Sequence, residues 1–202
     1  LLRKNGFDVE SNLIGLETAF RASYASKTKK PRIAFLAEYD ALPDIGHACG
    51  HNIICAISVG AAIGLTEALE NLGGTVMVIG SPAEEMSMDD RFLAGSKVYM
   101  VEKGVFKDVD AAMMLHPYHI TALDMGTTAY EAFEFTYYGK AAHAALAPWE
   151  GVNALDAVIE LFNNINALRQ HVRSDVRIHG IITKGGSAPN IVPEKAQARF
   201  YV

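Results

Sequence analysis

The sequence predicts an α/β protein with a mostly parallel sheet flanked by helices, followed by a smaller α+β domain that is incomplete in this chain. Three observations carry this. Solid apolar runs at 33–37 and in TVMVIGS (75–81) suit strands covered on both faces. A helical pattern separates them, and strand–helix alternation continues to about residue 127. Beyond that point the strands become half-exposed and alternating. The boundaries expected are therefore 1–127 for the first domain and 128–202 for the second. With 202 residues, 50% of them hydrophobic, the chain can bury a substantial core.

The elements follow in order. PRIAFLAEYDA runs an apolar strand directly into Glu38 and Asp40, and a loop with Pro43, Asp44 and Gly46 leads into HACGHN (47–52). A helix is expected from about 52 to 70, closing on NLGG, where Gly73 or Gly74 can take a left-handed conformation. TVMVIGS then runs into PAEE. A polar, methionine-bearing loop, a short helix and a third strand, AAMMLHP, come next. In AYEAFEFTYY, Phe133, Phe135 and Tyr137 share one face, and Glu134, Thr136 and Tyr138 the other. The loop GKAAHAALAPWEG precedes a helix expected over 152–171, with Leu155, Val158, Ile159, Phe162 and Ile165 on one stripe. Strands around VRIHGIIT and EKAQARFYV flank the loop GGSAPNIVP. The chain opens without Met and stops within an alternating run, so it reads as a piece of a longer protein.

Charge and composition narrow the function. A net charge of −5 without a basic run argues against nucleic acid or an anionic membrane as partner. The longest apolar run, 53–65, is shorter than a bilayer span and reads as a buried helix. The amino terminus is charged by its third residue and has no apolar signal region. Cys49 and Cys55 match neither a disulfide framework nor a zinc-ribbon spacing, and a reducing, cytoplasmic setting is expected.

In an open α/β sheet, ligands sit beyond the carboxyl ends of the strands. The three predicted strands end on Glu38/Asp40, Glu84/Glu85 and His116, and the loop after the first carries His47, Cys49 and His51. Each residue alone has a structural explanation: a buried histidine, helix-entry acids, a small core cysteine. Polar residues at three successive strand ends, with a Cys-Gly-His loop between, point instead to a metal site. Thiolate, imidazole and carboxylate suit zinc, manganese, cobalt or nickel, whereas calcium or magnesium would prefer oxygen donors alone. The donors suffice for two ions. Of the adjacent Glu84 and Glu85, one can ligate metal while the other acts as base on a water, which suits hydrolysis of an amide bond.

AEYDALPDIGHACGHN, GSPAEE, MMLHP, GKAAHAALAPWEGVNALDA and GGSAPNIVP, in that order, resemble the metallo-amidohydrolases that include aminoacylases, glutamate carboxypeptidases and hippurate hydrolases. The branch most similar holds the aminobenzoyl-glutamate hydrolases and the β-alanyl-lysine-type dipeptidase. The resemblance implies a zinc-exopeptidase-like catalytic domain with a two-metal centre. It also implies an inserted, ferredoxin-like α+β lid through which two copies form a homodimer. Carried over by residue, it makes Cys49, His51, Glu85 and His116 metal ligands, Glu84 the general base and Asp40 an orienting residue behind a ligand. His143 becomes a lid histidine that stabilises the oxyanion in the partner's site, and Asn190 a substrate contact. Many family members carry His-x-Asp where this chain has Glu38-Tyr39-Asp40, so Glu38 is left outside the ligand set. His119 is expected at the surface.

The function expected is metal-dependent hydrolysis of a small N-acyl or N-aminoacyl amino acid, such as a dipeptide or aminobenzoyl-glutamate, with Glu84 as general base. The alternative is a catalytically silent relative that serves dimerisation or binding. A redox-active Cys49 is weaker, since no resolving cysteine stands at C-x-x-C spacing.

Overall fold

The computed structural model describes residues 1–85, 95–123 and 126–202, which form two compact units, Leu1–Thr121 and Ala122–Val202. The methionine-bearing loop expected after PAEE lies outside the described residues.

The first unit is built on a five-stranded sheet in the order β1-β2-β4-β3-β5. Its strands are β1 (Asp8–Ser11), β2 (Phe20–Ala25), β3 (Arg32–Glu38), β4 (Thr75–Ser81) and β5 (Ala111–Met113). Central β4 is buried along its whole length, as its unbroken apolar run requires. β3 pairs with β4 in parallel from Arg32–Thr75 to Glu38–Ser81, so the two strands end side by side, and β5 runs parallel on the other edge of β3.

The expectation of a mostly parallel sheet is corrected here. β1 and β2 pair antiparallel, and β2 pairs antiparallel with β4, so the sheet is mixed. The cause lies in FRASYA, where Phe20, Ala22 and Tyr24 alternate with Arg21 and Ser23. That pattern makes a strand with one apolar face, which adds antiparallel to the β4 edge.

Between β3 and β4 runs α1 (His51–Leu72), which buries His51, Ile54, Ser58, Ala62 and Leu69 as a stripe. Ala62 and Leu69 join Val76 and Val78 of β4 in the core, and the Ser58 hydroxyl donates to the Leu36 carbonyl at 2.5 Å. At 22 residues α1 is longer than the apolar run suggests, and by length and composition alone it could span a bilayer, contrary to the expectation. Here it packs on the sheet, and Glu70 near its end accepts a hydrogen bond from Tyr24 at 2.8 Å. α2 (Gly95–Glu102) covers the opposite cluster, with Met100 fully buried among residues that include Ala34, Met77 and Ile79.

The second unit has a three-stranded antiparallel sheet in the order β6-β8-β7, covered by one helix. The elements are β6 (Ala132–Tyr138), α3 (Ala154–Leu168), β7 (His179–Lys184) and β8 (Lys195–Tyr201), giving the strand–helix–strand–strand order that the sequence predicts. Phe135 and Tyr137 pack with Val158, Phe162 and Phe200, while Glu134 and Thr136 meet Gln197 on the other face. α3 is shorter than 152–171 because Val152 bridges to Lys140 and the Asn153 side chain caps the helix by accepting from the Leu155 N–H at 2.9 Å. Ile159 is 44% exposed, and Leu161 packs on the core instead.

Candidate metal centre

The carboxyl ends of β3 and β4, the loop after β5 and the amino terminus of α1 meet in the first unit. β3 delivers Glu38 and Asp40, the segment after β4 delivers Glu84 and Glu85, and α1 begins on His51. Gly46 and Gly50, which flank His47-Ala48-Cys49, both have left-handed φ (78° and 83°). A Cβ at Gly50 would stand 3.0 Å from the Pro117 ring. Glycine thus lets the HACGHN turn approach the chain beside His116.

Cys49, His51 and His116 each offer a donor atom to one group whose members lie within 4.8 Å of one another, and Glu38, His51 and Glu84 form a second such group. His51 belongs to both. Its ring is 1% exposed, and Nδ1 lies 2.9 Å from Asp40 Oδ1, so Nδ1 carries the proton that a carboxylate can accept. Nε2 is left with a bare lone pair and, among the described residues, no hydrogen-bond partner. Around it stand Glu38 Oε2 at 3.4 Å, Glu84 Oε2 at 3.5 Å and Glu85 Oε1 at 3.9 Å. His116 is oriented in the same sense. Its Nδ1 donates to the Pro117 carbonyl at 2.8 Å and its Nε2 faces Cys49 Sγ at 3.4 Å.

A buried nitrogen lone pair facing three acid side chains has acceptors on every side and no proton to share. Burying such a group without a partner is costly. A divalent cation at Nε2 gives that lone pair a partner, and Cys49 and His116 stand close enough to share the ion. The mixed sulfur, nitrogen and oxygen donors fit zinc or a neighbouring transition ion better than calcium or magnesium.

Asp40 has a double role. Its Oδ1 holds the His51 ring and its Oδ2 accepts the Glu85 backbone N–H at 2.8 Å. One side chain therefore fixes two of the expected ligands. Glu84 and Glu85 follow Ala83, which has a left-handed φ of 53°, a strained conformation for a residue with a Cβ. Ser96, at the start of α2, holds that turn by donating its N–H to the Ala83 carbonyl at 3.3 Å and its hydroxyl to the Pro82 carbonyl.

The electrostatics follow from the crowding of acids. Burial pushes the Cys49 thiol up to about 11, with further upward contributions from the hydrogen bond to and charge of Glu85, then the charges of Glu84 and Glu38. Glu84 also lies above the ordinary carboxylate range, through burial first; Lys97 and His51 oppose the shift, and Glu38 and Glu85 add to it.

His47 is exposed, and His119 is at the surface as expected, against Tyr118 with ring centroids 4.3 Å apart. His143 and Asn190 belong to the second unit, where the structure places them next to each other: His143 bridges to Ile191, and the Ala144 N–H donates to the Asn190 carbonyl at 3.0 Å. Nδ1 of His143 accepts from the Ala145 and Leu146 N–H groups, both at 3.3 Å, so in the neutral ring the proton sits on Nε2. Two participants lie outside the set expected from the sequence: Glu38, 1% exposed, and its partner Lys97. An acid ending a buried strand is a usable signal for Glu38. Nothing around Lys97 marks it.

By fold, the chain is M20 peptidase-like. Its structure matches an aminobenzoyl-glutamate utilization protein from Klebsiella pneumoniae with a TM-score of 0.58 and 21% identity, covering 99% of this chain and 58% of that one. It also matches a Bacillus subtilis protein described as a dinuclear metal binding peptidase from the M20 family, with a TM-score of 0.55 and 21% identity, covering 99% and 55% of the two chains. Residues 129–202 match the peptidase dimerisation domain family. In sequence the chain is a relative of the Xaa-Arg dipeptidase of Mus musculus, 44% identical over 196 residues that cover 93% of this chain and 44% of that protein. It is likewise a relative of a p-aminobenzoyl-glutamate hydrolase chain of Escherichia coli strain K12, 36% identical over 223 residues that cover 100% and 44%. The chain thus spans 44% of the length of these two curated relatives.

Proposed function

We propose that this chain carries the metal-binding and base residues of a metal-dependent amidohydrolase that cleaves a small dipeptide or N-acyl amino acid. The observation that carries the reading is His51 Nε2, buried, unpartnered and surrounded by acid oxygens beside Cys49 and His116. The names of the relatives, a dipeptidase and an aminobenzoyl-glutamate hydrolase, support the substrate class. The dinuclear description of the B. subtilis neighbour supports two divalent ions, zinc or manganese, with cobalt or nickel as substitutes.

Cys49, His51, His116 and Glu85 would hold the metal, with Asp40 orienting His51 and Glu85 from behind. Metal bound there supplies an electrophile that acidifies water and polarises a carbonyl oxygen. Glu84, 37% exposed, borders the cluster and is open to an incoming water. It removes a proton from the attacking water and returns it to the leaving nitrogen. Its upward shift suits a group that must both take and give that proton. His143 from a second copy of the chain offers an Nε2–H to the developing oxyanion, and Asn190 contacts substrate. Residues 129–202 provide the homodimer interface, as the dimerisation-domain match supports.

The test is Glu84→Gln in the protein expressed from its complete reading frame and loaded with zinc or manganese. The panel contains β-alanyl-lysine-type and Xaa-Arg dipeptides, aminobenzoyl-glutamate and hippurate. The expected result is hydrolysis of at least one by the wild type, a loss of about 10²-fold or more in kcat in the variant, and unchanged metal content. Full turnover in the variant would overturn the assignment of the base, and a wild type that binds metal but cleaves nothing would favour the silent, dimer-forming alternative.

A further inference from the structure

Lys97, on α2, stands between two of the glutamates that face His51. Its ammonium donates to Glu38 Oε1 and lies 4.0 Å from Glu84 Oε1. The second oxygens of the same two side chains, Glu38 Oε2 and Glu84 Oε2, are the ones that stand 3.4 and 3.5 Å from His51 Nε2. Each glutamate therefore turns one oxygen to the lysine and the other to the metal cluster. We infer that Lys97 is a positioning residue that holds the outer oxygen of Glu38 by a hydrogen bond and draws that of Glu84 by charge, and so keeps both from closing on the metal as two-oxygen ligands.

The placement supports this. Glu38 is 1% exposed, and a buried acid next to two further acids needs a nearby cation or hydrogen-bond donor. Among the described residues, Lys97 is the amine that supplies it. The lysine is itself held in register, because Ser96, the residue before it, anchors the Pro82–Ala83 turn that presents Glu84 and also meets the Ser81 hydroxyl at 2.9 Å. One turn of α2 thus ties the end of β3 to the end of β4. A carboxylate can bind a metal through one oxygen or two. Without the ammonium, both outer oxygens become free, Glu38 enters the metal shell and Glu84 becomes a ligand instead of a base. Lys97 acts through these two residues and contacts no reacting atom.

The inference rests on the metal-site reading above, and cobalt separates the failure of one from the failure of the other. The complete protein is loaded with Co²⁺, and its thiolate-to-cobalt charge-transfer band and visible d–d bands are recorded. The wild type is expected to show the charge-transfer band from Cys49; its absence would overturn the metal-site reading and this inference together. In Lys97→Met the charge-transfer band is expected to persist while the d–d bands weaken, since added oxygen ligands raise the coordination number. Turnover should fall about tenfold or more with KM little changed, in the range seen when a group behind a metal ligand is lost. Lys97→Arg keeps the charge and should restore the wild-type spectrum and most of the turnover. Adding Glu38→Gln to Lys97→Met removes the uncompensated buried acid and one of the two competing ligands, leaving only Glu84 released, so the d–d bands should return in part. A wild-type cobalt spectrum in folded Lys97→Met would overturn the inference, as would a double variant whose spectrum is the same as that of Lys97→Met alone.

Discussion

Replacing Asp40 with Asn is the most informative single perturbation of the site. Asp40 accepts from His51 Nδ1 at 2.9 Å through one oxygen and from the Glu85 N–H at 2.8 Å through the other. An asparagine has one acceptor oxygen and one NH₂, so it can keep only one of these two bonds. If the NH₂ faces Glu85, two donors oppose each other. If it faces His51, the imidazole proton moves to Nε2 and occupies the lone pair intended for metal. Either way one hydrogen bond to a charged acceptor is lost, about 1.5–3 kcal/mol. Loss of such an orienting partner weakens metal binding about 10–100-fold, which at about 1.4 kcal/mol per tenfold is roughly the same quantity. The assay is competition with a chelator for Zn²⁺ or Co²⁺, with circular dichroism to confirm that the variant is folded. An affinity within about twofold of wild type would refute the reasoning that Asp40 fixes the ligands.

Other outcomes follow from the same geometry. With its thiol held near 11 in the metal-free protein, Cys49 must give up a proton when metal binds, so apparent affinity should rise about tenfold per pH unit below that value, and Cys49→Ser should remove this slope; chelator competition across pH measures both. Tyr39 donates to the Thr18 carbonyl at 2.6 Å, and burial first, then the charges of Cys55 and Asp40, raises its pKa from 10.0 to about 12. The folded state therefore binds the phenol proton more tightly than the unfolded state. The resulting stability is complete below about pH 10 and lost as pH rises through about 12; urea midpoints should fall across that window, less steeply in Tyr39→Phe. In the second unit Phe200 is 2% exposed and packs on Phe162 with centroids 4.7 Å apart, so Phe200→Ala should cost about 3–5 kcal/mol. Denaturant unfolding would show it, and a loss below about 1 kcal/mol would contradict the packing described.

Much of this molecule is legible in its sequence for physical reasons. The unbroken apolar runs of β3 and β4 mark strands buried on both faces, and chemistry placed just after such strands converges wherever they run parallel side by side, as Glu38 and Ser81 do. The glycines around Cys49 mark a turn that residues with a Cβ would resist. β1 and β2 are harder to read because their short, polar-rich segments carry little apolar signal, and the pairing of β2 with β4 is long-range. The helical pattern carries α1 almost to its observed bounds, 52–70 against His51–Leu72, although the apolar run within it ends at Leu65. Lys97 is invisible to local pattern altogether. Its partner Glu38 is 59 positions away, and a lysine at the start of a short helix is ordinary until the fold brings the two together.

The central claim is that Cys49, His51 and His116 hold a metal ion. Anomalous diffraction at the zinc absorption edge, from crystals of the complete protein grown with Zn²⁺, tests it most directly. The account predicts a peak bonded to Cys49 Sγ, His51 Nε2 and His116 Nε2, with Glu85 close by. Zinc found only elsewhere in the crystal, with His51 Nε2 bonded to a neighbouring acid, would contradict it.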